Sequence, residues 1–179
     1  MKQIEKINFI ASMEFSSISP QLLQRIREIC GEEHVFIDNE RLKKYGRDET
    51  EDLEYLPQVV ARPYKASQIA KLLQICNENH IPVTPRGAGT GLSGGALPIY
   101  SGLLISMERF NRILNIDERN LQATVEPGVI NYNFQEEVKK RGLFYPPDPA
   151  SWGSSFLGGN LAHSSGGPKA VKYGTTRDR

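Results

Sequence analysis

The residues best suited to chemistry lie in one run: Thr84, Pro85, Arg86, Gly87, Ala88, Gly89, Thr90, Gly91, Leu92, Ser93, Gly94, Gly95 and Ala96. Five glycines fall between Gly87 and Gly95. Glycine tolerates positive φ and carries no side chain, so successive backbone amides can turn inward and surround an anion. A diphosphate suits such a cradle, with Arg86 as a cation and the Thr90 and Ser93 hydroxyls as donors.

Two common phosphate loops are excluded by the residues on the C-terminal side of the run. Gly89, Gly91 and Gly94 spell GxGxxG, but that fingerprint needs a helix directly behind it to receive the pyrophosphate. Here Ala96, Leu97 and Pro98 come next, and then a strand. A Walker A loop is excluded as well, because no Lys followed by Ser or Thr closes the run. A ligand-free loop of small residues would account for the glycines but not for Pro85 and Arg86 at the end of a strand.

A second cluster reads Pro146, Pro147, Asp148, Pro149, Ala150 and Ser151, then Gly158 to Gly167 as GGNLAHSSGG, then Lys172 to Thr176 as KYGTT. Proline stiffens the first part, and the paired glycines permit close approach of a flat or charged ligand. Two such segments, separated by a strand-rich stretch, imply one extended nucleotide held between two lobes.

The elements that must position these segments are partly visible. Ser19 as a cap, Pro20 at the first helical position, the stripe Leu22, Leu23, Ile26, Ile29 and Cys30, and Gly31 as terminator predict a helix from about Pro20 to Cys30. Val59 to Ala61 reads as a strand, and Ile69, Leu72, Leu73 and Cys76 as one helical face. Ile81 to Thr84 is a second apolar run. Together they predict a right-handed βαβ unit with parallel strands, and the glycine run begins where its second strand ends. Leu103 to Met107, Ile113 to Ile116 and Leu121 to Val125 read as further strands. Asn131 is expected to cap a short helix carrying Phe134 and Val138, stopped by Gly142. The acidic stretch between Val35 and Pro57 reads as a solvated surface connection, and Phe144 to Arg179 as long and irregular.

Composition narrows the function classes. With 22 basic and 21 acidic residues the net charge is +1, so no global field attracts nucleic acid or an acidic membrane. No apolar stretch has the length of a membrane span, and Lys2, Glu5 and Lys6 break the apolar core that a signal peptide requires. The expected location is cytoplasmic, with a partner as the route to any membrane association. Cys30 and Cys76 fall on apolar stripes and read as buried thiols; no metal site is expected. His34 and His80 read as surface residues.

These motifs resemble those of the FAD-linked oxidases of the vanillyl-alcohol oxidase (PCMH) type, in the branch of the glycolate oxidase FAD subunit and D-lactate dehydrogenase. The matching pieces are PRGAGTGLSGGA at Pro85 to Ala96, VEPGV at Val125 to Val129, PPDPAS at Pro146 to Ser151, GGNLAHSSGG at Gly158 to Gly167, and KYGTTRD at Lys172 to Asp178. The resemblance implies an α+β, two-subdomain FAD-binding (PCMH-type) domain: a small parallel βαβ lobe plus a second mixed or antiparallel sheet lobe, C-terminally incomplete. Residues 1–55 would form an N-terminal helix and polar connection, and 56–179 the FAD-binding domain, without the substrate domain.

By the same resemblance Arg86, Gly87, Ala88, Gly89, Thr90, Gly91, Leu92, Ser93, Gly94 and Gly95 hold the FAD diphosphate. Pro149, Gly158, Gly159, Asn160, Ala162, Ser164, Gly166 and Gly167 approach the rest of the cofactor, mostly through backbone atoms. Ser164 stands where this branch often has Asn. His163 does not sit where relatives attach flavin covalently, so noncovalent FAD and a surface or supporting His163 are expected. The implied function is oxidation of a 2-hydroxy acid, glycolate or D-lactate-like, by hydride transfer to FAD, with partner subunits or another electron acceptor. The catalytic residues are expected in the sequence by which relatives extend beyond this point, which leaves this chain inactive alone. The alternatives are a noncatalytic nucleotide-binding or scaffold module, and a flavin reductase using a nicotinamide cofactor, as in the cell-wall enolpyruvyl reductases.

Overall fold

The computed structural model describes residues 15–178; Met1 to Ile10, the basis for expecting no signal peptide, lies outside the described residues. Helix α1 spans Pro20–Cys30, as its flanking residues predict: Ser19 Oγ accepts from the Leu22 amide at 3.3 Å, and Gly31 ends it at φ +89°. A 3-10 turn, Glu32–His34, leads to β1 (Val35–Phe36), and α2 comes next at Asn39–Tyr45. Both elements lie in the stretch expected to be a plain polar connection. Asp38 caps α2 by accepting from the Arg41 amide at 3.0 Å, and its buried face carries Leu42 and Tyr45.

Strand β2 (Val59–Ala61), helix α3 (Ala66–Glu78) and strand β3 (Val83–Arg86) form the expected βαβ path. Strand β4 (Leu103–Ser106) is not at the edge of the sheet, however. The order is β1-β2-β4-β3, with β4 parallel to both neighbours and β1 antiparallel to β2. Alternation sorts the side chains to two faces. Val35, Val59, Ala61, Leu103 and Ile105 pack with α1 and α3 around Ile26, Leu72 and Cys76, whereas Phe36, Val60 and Leu104 pack with Leu42 and Tyr45 of α2. Covering on both faces is what an unbroken apolar run such as Leu103–Ile105 requires. In α3 the stripe is rotated from the expectation: Ile75 is buried and Leu73 is exposed.

The second lobe starts with the antiparallel pair β5 (Ile113–Asp117) and β6 (Gln122–Val125). Helix α4 (Asn131–Lys139) comes after it, and Gly142 at φ +71° turns the chain beyond the helix. Asn131 is not a cap: it is the first helical residue, fully buried, and its Nδ2 donates to the Pro147 carbonyl at 3.1 Å. The C-terminal stretch is more ordered than its composition suggests. It contains α5 (Leu157–His163), α6 (Ala170–Tyr173) and a final 3-10 turn, Thr176–Asp178. Val129, Phe134, Val138 and Leu157 form the core of this lobe. Among the described residues, no helix is long and apolar enough to cross a membrane.

Candidate functional site

The glycine run is the connection from β3 back to the start of β4. Parallel neighbours need a crossover of about a dozen residues or more, usually helical; here it is loop from Gly87 to Gly102, with no helix. Gly102 closes it at φ +68°, where a Cβ would run into the Pro82 carbonyl oxygen. Gly89 and Gly94 also take positive φ, +76° and +68°.

Arg86 ends β3 with its side chain turned beneath this loop. It is 7% exposed, and a Cβ on Gly89 would overlap its guanidinium. Tyr45, Asp48 and Glu108 act on it electrostatically, yet burial dominates and lowers its pKa. Its Nη1 and the Asp48 Oδ2 are both buried with no hydrogen-bond partner among the described residues. The cation therefore supports the loop from its inner side. The Tyr45 hydroxyl donates to Glu108 at 2.9 Å, and Arg62 pairs with the same carboxylate at 2.8 Å. Burial, then that hydrogen bond, pushes the Tyr45 phenol up to about 12.

The outer turn of the loop is anchored by residues that the sequence did not mark. Thr50 Oγ1 accepts from the Gly94 amide at 2.8 Å, and the Glu49 amide donates to the Gly91 carbonyl at 3.1 Å. Part of the acidic stretch is thus a brace for the loop, and its Glu54 pairs with Arg47. Thr90 lies half-buried, and Leu92 and Ser93 face solvent.

Helix α5 brings the second segment onto the first. The nearest atoms to a Cβ built on Gly87 are Gly159 Cα and Phe156 Cδ2, both at 3.8 Å. One helical turn after Gly159, the imidazole of His163 lies against Gly91 and Gly95: its Cε1 is 3.5 Å from a Cβ built on the first and 3.2 Å from one on the second. Gly159 itself has nothing within 4 Å of its Cβ direction. Among the described residues, nothing stands in the Cβ direction of Gly159, and only the imidazole lies in that of Gly91 and Gly95.

The remaining residues of the second segment hold α5 in place. Gly158 presses on Pro127, and its amide donates to the Pro127 carbonyl at 2.9 Å. Asn160, buried, donates from Nδ2 to Asn131 Oδ1 and Ser155 Oγ, each at 3.2 Å. Ser164 ends the helix in the left-handed region and shares a 2.8 Å hydrogen bond with Thr175 Oγ1. Gly167 packs on the Asp148 backbone, Lys169 donates to Asp148 Oδ2 at 2.6 Å, and Gly166 abuts Ala170. Pro149 accepts from the Trp152 amide at 2.8 Å, and the Ala162 carbonyl accepts from Arg177 at 3.3 Å. Pro149, Ser164, Gly166 and Gly167 therefore gather at the C-terminal end of α5, while Gly158 and Gly159 lie at its start.

A separate open groove of about 940 Å³ runs between the β5–β6 pair and α4–α5, lined by Ile116, Val125, Phe134, Val138, Leu143 and Leu157 among others. It is mainly apolar, reaches Gly158 and Leu161 of α5, and has no residue of the glycine loop in its lining. Cys30 and Cys76 are buried free thiols, both raised to about 11 by burial. His80 is an exposed corner residue, whereas His34 is half-buried beside Arg62 at 3.4 Å, and burial lowers its pKa.

Comparison with known proteins places the chain in a family and matches its fold. Residues 57–179 match the FAD binding domain family. The chain is 40% identical over 161 residues to the glycolate oxidase subunit GlcD of Bacillus subtilis, covering 90% of this chain and 34% of that protein. It is 36% identical over 172 residues to a D-lactate dehydrogenase of Anaerostipes hadrus, covering 94% and 35%. The fold superimposes on alkyldihydroxyacetonephosphate synthase with a TM-score of 0.81 at 21% identity, over 93% of this chain and 33% of that one. The chain thus spans about a third of the length of these relatives.

Proposed function

The chain belongs to the FAD binding domain family, and on that premise we propose that it holds the FAD of an oxidoreductase acting on a 2-hydroxy acid of the glycolate or D-lactate kind. The substrate class comes from the names of its relatives, glycolate oxidase and D-lactate dehydrogenase. They are about three times as long, and the oxidation is proposed for a protein of that length. FAD supplies the hydride acceptor; the chain's own residues bind it, orient it and exclude water.

The observation that carries the reading is the meeting of the two glycine segments, with Gly159 beside Gly87 and His163 on Gly91 and Gly95. The arrangement fits a dinucleotide: two glycine-rich segments brought together with only the Phe156 and His163 rings at their junction, a loop able to aim amides at a diphosphate, and a buried cation beneath it. In this reading Gly87 to Gly95 receive the diphosphate, and Gly159, with the turn from Ser164 to Gly167, borders the rest of the cofactor. Arg86 contributes its charge through the loop, and Gly158 and Asn160 hold α5 against Pro127 and Asn131. The cofactor is held noncovalently, residues 56–179 form its domain on a sheet that β1 extends, and partner subunits or another acceptor take the electrons.

Gly91→Val tests the site. A Cβ at Gly91 meets only the His163 ring at 3.5 Å, so a side chain there obstructs the cleft while leaving the core intact. Titration of FAD into the purified chain should show saturable quenching of flavin fluorescence, lost in Gly91→Val with unchanged apo unfolding. Equal binding by both proteins would misplace the diphosphate, and a folded chain that binds no FAD would favour a noncatalytic module. For the oxidation, anaerobic glycolate or D-lactate should bleach the flavin of a relative-length protein carrying this chain; bleaching by NADPH instead would point to a reductase.

A further inference from the structure

We propose that His163 is itself a cofactor-binding residue, donating a hydrogen bond to the FAD diphosphate from the α5 side of the glycine loop; this rests on the diphosphate reading of that loop. Residues i and i+4 of a helix share a face, and the face of α5 that meets the loop carries Gly159 and then His163. At Gly159 the face is bare. One turn later, the imidazole puts Nε2 and Cε1 at 3.2 Å from a Cβ built on Gly95, with Nε2 at 3.7 Å from one built on Gly91. The tip of the ring, rather than its Cβ end, is thus turned into the bend between these two glycines.

That tip has no bonding duty of its own. Among the described residues His163 makes no hydrogen bond or ion pair, although the side chains after it in the turn are engaged, Ser164 with Thr175 and Lys169 with Asp148. The side chain is exposed, but the helix end that carries it is held. Ser164 ends α5 at φ +53°, and Arg177 holds the last turn through the Leu161 and Ala162 carbonyls, at 3.3 Å each. An imidazole nitrogen is a donor of suitable reach for a phosphate oxygen, and hydrogen bonds to a charged acceptor are the stronger kind. The division of labour is complementary. Arg86 stands on the inner side of Gly89 and polarises the loop from beneath, whereas His163 stands on the face that α5 closes. His163 thereby joins the two glycine segments through the ligand.

The test compares wild type, His163→Ala and His163→Gln in the full chain, using FAD and riboflavin, which lacks the diphosphate, as probes. His163→Ala should weaken FAD binding about tenfold or more, leave riboflavin binding unaltered, and keep the apo thermal midpoint. His163→Gln, which retains a donor, should recover most of the loss. The ³¹P spectrum of bound FAD should shift for one phosphorus in the Ala variant. If FAD binds wild type and His163→Ala equally, the contact is overturned while the cofactor site stands. Equal loss in both variants with a lowered apo midpoint would make His163 a loop support and also overturn the contact. Failure of the folded wild type to bind FAD would sink the cofactor site itself, and the contact with it.

Discussion

In the first lobe every residue of β2 and β4 is buried, and both faces of the sheet are covered by helices. In the second lobe no residue of β5 or β6 is fully buried, and the wall of the apolar groove is open. Its interior order comes from Asn131, Ser155 and Asn160, joined by hydrogen bonds, with four apolar side chains around α4 and α5. The first lobe is therefore specified by packing, and the second by close backbone contacts and a polar network. The glycine loop belongs to the first by connection, but the face it presents is completed by the second. A cofactor held there would join a half set by packing to a half set by the polar network.

Substitutions can separate these two modes of stabilisation. The largest effect is expected in the first lobe: Leu104→Ala removes a fully buried side chain between Val60 and α2 and should cost about 2–5 kcal/mol in denaturant unfolding. A much smaller loss would mean that the sheet face against α2 is loosely packed. Next, Asn160→Ala leaves Asn131 Oδ1 and Ser155 Oγ short of a donor and should cost about 1–3 kcal/mol. Hydrogen exchange should quicken in α4 and α5 while α1 and α3 stay protected; uniform loss across both lobes would refute the separation.

The smallest effect concerns Glu126, which accepts from the Arg112 backbone amide at 2.8 Å and from its guanidinium at 2.6 Å. The Arg112 side-chain bond is the main cause holding its carboxyl below the usual carboxylate range. Because the folded pKa is the lower one, this stabilisation is complete above the unfolded value and is lost as pH falls through the folded value. Arg112 is largely exposed, so solvent screens the pair and its contribution should be small. Glu126→Gln should flatten the acid limb of stability slightly; an unchanged limb would assign the acid dependence elsewhere.

Much of the first lobe is legible locally, because its signals are short-range. Ser19, Pro20 and Gly31 bound α1, and Val59–Ala61 has the composition of a buried strand. The central place of β4 is not legible, since no local pattern encodes strand order. Helix α2 did leave a signal, in the Asp38 cap and the i, i+3 spacing of Leu42 and Tyr45, but the surrounding charges mask it. In α5 two adjacent glycines disguise a helix that tertiary contacts stabilise. The glycine loop itself stands out by composition, yet the inward turn of Arg86 and the brace from Thr50 depend on residues far along the chain. The approach of His163 to the loop is hidden for the same reason.

The position of β4 between β2 and β3 also bears on how the chain reaches its native state. Strand β3 has no partner until the crossover from Gly87 to Gly102 has carried the chain back, so the sheet closes only after this long turn has been traversed. The entropy of that closure falls on the folding step and is recovered when β4 pairs on both sides. The two ends of the loop are thus fixed by the sheet itself, at Arg86 and at Gly102. Helix α5 meets a loop whose ends the sheet defines and whose outer turn Thr50 braces.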